Sequence, residues 1–190
     1  MNPKKKKLIS CFPYLSSANF SKPSQDIIKH TADLSNYLFA DQLIRQSLKR
    51  GLTYRDDMLR KIDSILYTNL VEYLIRNGLP DRKLTGKYYH NMHVILLHGS
   101  YHVGITTELK EVLKSNLFSG NYNPSNYAFL IDKYNTWNLK RPQTYGQFCT
   151  EDYELKNFID IKEVDLRRKE IGLEPLKQYA ENNYFTLSFD

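Results

Sequence analysis

Four of the five histidines of this chain stand in one run, HNMHVILLHGSYH, from His90 to His102. At about 100° per residue, Asn91, His98 and His102 share one stripe of a helix whose remaining surface carries Val94, Leu96 and Leu97. A polar stripe on an apolar rod needs partners, because an unpaired buried polar group costs about 1–3 kcal/mol. Polar groups from elsewhere in the chain must therefore face it. His98 and His102 are four apart, the spacing at which two imidazoles on successive turns reach one metal ion, and Asp132 or Asp41 can complete such a set. Gly99 follows His98 where an H-E-x-x-H zinc enzyme needs its glutamate, so that class is excluded. The plainer alternative is a single buried histidine bonded to a carboxylate. His90 and His93, three apart near the start of the helix, read as surface or boundary residues.

The elements that must position these groups read as helices, since sustained alternating patterns are scarce. The expectation is an all-α fold, a single compact domain of about six to seven helices with a long ordered loop near residues 139–159. Ser24 caps a first helix that Gly51 is suited to end, with a break near Thr31 to Ser35 as an option. Thr53 with Asp56 resembles a cap for a second helix, whose Met58, Ile62, Ile65, Leu66, Leu70, Tyr73 and Leu74 form a core stripe before Gly78 and Pro80 stop it. The histidine helix runs from about Thr85 to His102, with Gly104 as its terminator. Thr106 caps a short amphipathic helix through Leu109, Val112, Leu113 and Leu117, closed by Gly120. Asn123-Pro124 is a cap followed by proline in the first turn and starts the helix of Tyr127, Leu130, Ile131 and Tyr134. Asp160 to Glu163 reads as a capping box for a helix through Val164 and Ile171 that ends at Gly172. Pro175 opens a last short helix through Leu176 and Tyr179.

With 190 residues the chain can bury a core without disulfides or metals. The expected organisation is a flexible basic tail over residues 1–23 and a single helical domain over residues 24–190. The net charge of +6 is largely the tail's, because taking Lys4 to Lys7 from the 27 basic residues leaves 23 against 21 acidic ones. A near-neutral body argues against an extended phosphate-tracking surface, and hence against nucleic acid as a partner of the body. Cys11 and Cys149 are the two cysteines, too few and too far apart for a disulfide framework or a zinc knuckle, and read as free thiols in a reducing cytoplasm. Lys4 to Cys11 lacks the apolar region of a secretory signal, and no stretch approaches the ~20 apolar residues of a membrane span. No G-x-S-x-G elbow, phosphate-binding glycine loop or dinucleotide fingerprint is present, so no cofactor is called for. Most of the fifteen tyrosines, Tyr73, Tyr127 and Tyr134 among them, sit at helical core spacings rather than as stacking platforms.

Six stretches fall in a telling order. They are LFADQLIRQ at 38–46, TNLVEYLIRNGLP at 68–80, VILLHGS at 94–100, FLIDKY at 129–134, RPQTYGQF at 141–148 and VDLRRKEIGLEPLKQY at 164–179. Over roughly residues 33 to 180 the chain resembles an uncharacterised bacterial family, domain of unknown function 6624. That pattern places Asp41, Gln42 and Arg45, then Asn69, His98, Asp132, Gln143, Tyr145, Gly146, Gln147, Arg168, Gly172 and Leu173 at matching positions. Leu79 stands where the family often has tryptophan, Leu97 where glutamine often precedes the histidine, and Phe148 follows Gln147 with no small residue between Gly146 and Gln147. The resemblance implies a shared helical fold and a shared polar site; the family carries no assigned reaction.

Around those positions the residue types allow two readings. In the first, Asp132 or Asp41 orients His98 for acid–base work near neutral pH, Tyr145 donates to a substrate oxygen, and Arg45 and Arg168 bind a carboxylate or phosphate, with Asp41, Gln42, Gln143 and Gln147 lining the pocket. The ligand would be a small anionic or amide-bearing molecule, or a peptide segment. In the second, the polar groups form an internal network, Asp41 pairing with Arg168 while Gln143 and Gln147 tie the long loop to the helices of a non-catalytic binding or regulatory module. A metal-dependent hydrolase centred on His98 and His102 is a further rival, and a nuclease or toxin steered by the lysine tail a weaker one.

Overall fold

The computed structural model describes residues 56–81, 88–149, 153–155, 158 and 161–187, with three single helical positions, Asn36, Phe39 and Arg45, ahead of them. The lysine tail, most of the expected first helix with Asp41 and Gln42, the Thr53 cap and Asp160 lie outside the described residues. Among those described, the chain is mostly helical. Helix α1 spans Asp56–Asn77, α2 Tyr88–Val103, α3 Thr107–Phe118, α4 Pro124–Trp137, α5 Val164–Glu170 and α6 Leu176–Asn183. No helix among these residues is long and apolar enough to cross a membrane.

Local chemistry sets the helix ends. The Thr106 side chain accepts from the Leu109 N–H at 3.2 Å. Asn123 accepts from the Ser125 and Asn126 N–H groups at 2.8 and 3.3 Å, with Pro124 in the first turn, so the orphan donors of α4 are satisfied where proline costs nothing. Gly78 and Gly104 follow α1 and α2 where the spacing predicts their ends.

Helix α1 packs chiefly on α2, and α4 closes over α2 and α3. The main core draws Leu66, Tyr67, Leu70 and Leu74 from α1, Met92, Ile95 and Leu96 from α2, Leu109, Leu113 and Leu117 from α3, and Ala128, Leu130 and Ile131 from α4. The α1–α2 crossing is tight because Gly99 has no side chain, and a Cβ there would overlap the Tyr67 side chain. The Tyr67 hydroxyl donates to the Gly104 carbonyl beyond the end of α2. A smaller core of Leu155, Val164, Leu176 and Ala180 lies beside it.

Three expectations need correcting. Met58 and Ile65 are 44% and 58% exposed rather than core, because α1 is rotated so that Asp63, Leu66, Tyr67, Leu70, Val71 and Leu74 face inward. His93, expected at the boundary, is 4% exposed and meets Tyr122. The stretch expected as a long ordered loop near residues 139–159 also contains strand β1, Glu154–Leu155, which pairs in parallel with β2, Thr186–Leu187, and a Gln143–Phe158 bridge. In addition, α5 is entered through a 3-10 turn, Ile161–Glu163, and Glu163 makes no side-chain cap.

Candidate functional site

Asp132 lies on α4 and is completely buried. Its Oδ1 accepts from the N–H groups of Thr144 at 2.7 Å and Tyr145 at 3.1 Å, and its Oδ2 from Tyr145 at 3.2 Å and Gln147 at 2.8 Å. The Gln143 Oε1 takes the next free donor, the Phe148 N–H, at 2.9 Å. A segment with no helical or strand period thus has the N–H groups of Thr144, Tyr145, Gln147 and Phe148 satisfied by two side chains, which lets it pack inward.

The carbonyl side of the same segment is held from α5. Arg167 Nε donates to the Thr144 carbonyl at 2.8 Å, and Arg168 Nη1 to the Tyr145 carbonyl at 2.8 Å and to Gln147 Oε1 at 3.2 Å. Arg168 Nε donates to the Glu174 carbonyl at 2.6 Å, and the guanidinium lies 4.8 Å from the Tyr179 ring centroid. Arg168 is 0% exposed, yet among the described residues its Nη2 has no hydrogen-bond partner. Among the described residues no carboxylate stands within ion-pair distance of it. Gly146 completes the turn at φ +65°, and a Cβ there would lie 2.7 Å from the Phe158 ring and 2.8 Å from a Leu176 methyl. Glycine is needed both for the conformation and for the close approach.

Burial is the largest influence on the charges of this centre. It pushes the Asp132 carboxyl up to about 6, against the pull of the Gln147, Tyr145 and Thr144 N–H groups and of Arg168. The Tyr145 hydroxyl is pushed up by burial and by Tyr127, Asp132 and Glu170, and it hydrogen-bonds to Tyr127. Arg168 is lowered by burial, with Tyr179, Asp165, Glu174 and Asp132 opposing.

The structure therefore brings together Asp132, Gln143, Tyr145, Gln147 and Arg168. It does not join His98 to Asp132, whose oxygens make no hydrogen bond to that ring among the described residues. His98 is half-buried on α2. Arg45 belongs to a separate cluster, where its Nη2 contacts both Asp63 oxygens at 2.8 Å. His102 Nε2 lies 3.6 Å from Asp63 Oδ2. No three His, Cys, Asp or Glu side chains among the described residues are grouped to hold a metal.

The sequence pattern did not single out Asp63 or Lys133, and it put His93 at the boundary. Asp63 interrupts the inward face of α1, three residues before Leu66, and that interruption was its signal. His93 Nδ1 meets the Tyr122 hydroxyl at 3.1 Å, and burial lowers its pKa to about 3, helped by His90, Lys133 and His98. Lys133 is lowered by burial and by Arg45, against Asp63, and its Nζ lies 4.8 Å from the Trp137 ring centroid. A chain of rings links the two clusters: Trp137 lies 6.0 Å from Tyr101 and 5.3 Å from Phe148, the last residue of the gripped segment.

None of the family models, curated proteins or solved structures compared with this chain matches it.

Proposed function

We propose that this is a binding or regulatory module without turnover, in which Asp132, Gln143, Gln147 and Arg168 fix residues 143–148 as a recognition element. Its ligand is a small anionic or amide-bearing molecule, or a peptide segment, that offers an oxygen to Arg168. The observation that carries the reading is the contrast between neighbours. The Asp132 oxygens and the Tyr145 hydroxyl are engaged by protein groups, whereas the buried Arg168 Nη2 has no acceptor among the described residues. An unsatisfied buried donor costs about 1–3 kcal/mol, so an incoming carbonyl or carboxylate oxygen recovers that cost on binding. The half-buried Tyr179 ring covers the guanidinium, and the ligand must displace it to reach Arg168. The motif order that resembles domain of unknown function 6624, with Cys149 a free thiol, supports placing the module in a bacterial cytoplasm.

The test is titration of the isotope-labelled full chain with acetate, acetamide and a capped acidic peptide, read by amide and Arg side-chain NMR. Saturable shifts at Tyr145, Gln147 and the Arg168 Nε–H, with the probe recovered unchanged, are expected. Arg168→Lys keeps the charge but loses the planar fork, and should weaken binding by about tenfold. Absence of shifts for all three probes overturns the binding reading. Consumption of a probe that stops in Asp132→Asn and in Tyr145→Phe overturns the claim of no turnover.

A further inference from the structure

A second group of polar and cationic side chains lies apart from the Arg168 donor. Along α1, Arg60 and Ser64 stand one turn apart, as do Lys61 and Ile65, and these four with His102 of α2 line an open groove of about 480 Å³. Positive charge there exceeds negative. Asp63, buried beneath the groove, is already engaged by Arg45 at 2.8 Å and by His102 at 3.6 Å. Among the described residues Arg60, Lys61 and Lys133 make no ion pair, and Lys133 bears on the same Asp63–Arg45 pair from α4.

The α2 terminus would ordinarily repel an anion, because a helix ends in unpaired carbonyls carrying partial negative charge. Here two of those carbonyls, Ser100 and Tyr101, are covered. Asn138 Nδ2 donates to the Tyr101 carbonyl at 2.7 Å and to the Ser100 carbonyl at 3.4 Å, and the Gly104 N–H donates to the Ser100 carbonyl at 3.0 Å. Ile65, 58% exposed, adds an apolar wall beside the cations, and the Tyr101 ring backs His102 at 5.0 Å between centroids.

We infer that the groove between α1 and the last turn of α2 binds a phosphorylated small molecule, its phosphoryl oxygens held by Arg60, Lys61, Ser64 and His102 and its apolar body lying on Ile65. The Ser64 O–H donates to the Arg60 carbonyl at 2.6 Å, and it turns from that acceptor to donate to a phosphoryl oxygen when the ligand binds. Phosphate is favoured over a carboxylate because four residues able to donate line one groove, more than two carboxylate oxygens serve and nearer to what three terminal phosphoryl oxygens accept. His102 is lowered by burial, with Arg60 and Arg45 adding to that and Asp63 opposing. A dianion beside it reverses the balance, so binding takes up a proton on His102.

The experiment titrates the full chain with phenyl phosphate and, as controls, inorganic phosphate, benzoate and a single-stranded oligonucleotide, reading amide shifts and the His102 imidazole. Phenyl phosphate should shift residues 60–65 and His102 saturably, bind more tightly than inorganic phosphate or benzoate, and raise the His102 pKa. Arg60→Ala with Lys61→Ala, both exposed, should weaken it by about tenfold or more while leaving the thermal midpoint unchanged. No saturable shift, or shifts that survive the double substitution, overturns the site. Tighter binding of the oligonucleotide overturns the small-molecule assignment. Shifts here and shifts at Tyr145 and Gln147 report separate sites, so failure of one reading is distinguishable from failure of the other.

Discussion

Each oxygen of Asp132 faces backbone N–H groups, so an isosteric amide in its place sets an N–H against another N–H at a site with no exposed surface. Asp132→Asn is expected to cost roughly 2–3 kcal/mol, a fall of about 5–10 °C in thermal midpoint measured by calorimetry. The titrating residues make a second prediction. His93, lowered to about 3 from the ordinary 6.5, binds its proton in the unfolded chain but not in the folded one between those values. Its contribution to stability is complete above pH 6.5 and lost as pH falls, amounting to about 2 kcal/mol at pH 5. Asp132, raised to about 6, works in the opposite direction, since the folded state takes up its proton first and gains stability as pH falls from 6 towards 4. Denaturant unfolding of His93→Gln should therefore show a flatter acid slope than wild type, and Asp132→Asn a steeper one. Equal slopes in all three proteins would contradict both assignments.

At the scale of elements, the α1–α2 crossing depends on one missing side chain. Gly99→Ala forces the helices apart at Tyr67, and is expected to destabilise by roughly 3 kcal/mol or more, whereas alanine would otherwise favour the helix. A variant as stable as wild type would show that the helices can part without loss of the Tyr67 hydroxyl bond. The element boundaries were legible because their causes are local: Thr106, Asn123-Pro124, Gly78 and Gly104 act on neighbours within one turn. The rotation of α1 was not legible. Met58, Ile62 and Ile65 share helical spacing with true core positions such as Leu66 and Leu70, and only the partner helix decides which side turns inward. The strand pair was hidden for a similar reason, since Leu155 finds its partner at Leu187 across two intervening helices.

Seen whole, the molecule has a larger core among α1 to α4 and a smaller one around β1, α5 and α6. Residues 143–148 run between them, gripped by Asp132 from one side and Arg167 and Arg168 from the other. Ile171, just past α5, is buried in the larger core and ties the two together. The grouping of Asp132, Gln143, Tyr145, Gln147 and Arg168 was legible as a set of polar types around one stretch. Its geometry was not, because a carboxylate on α4 satisfying loop amides looks in sequence the same as one orienting His98. Native-state hydrogen exchange at the Thr144, Tyr145, Gln147 and Phe148 amides tests this most directly. These amides lack backbone acceptors, so they should exchange as slowly as the interior of α4 and lose that protection in Asp132→Asn. Exchange at the rate of open loop amides in the wild-type protein would contradict the account.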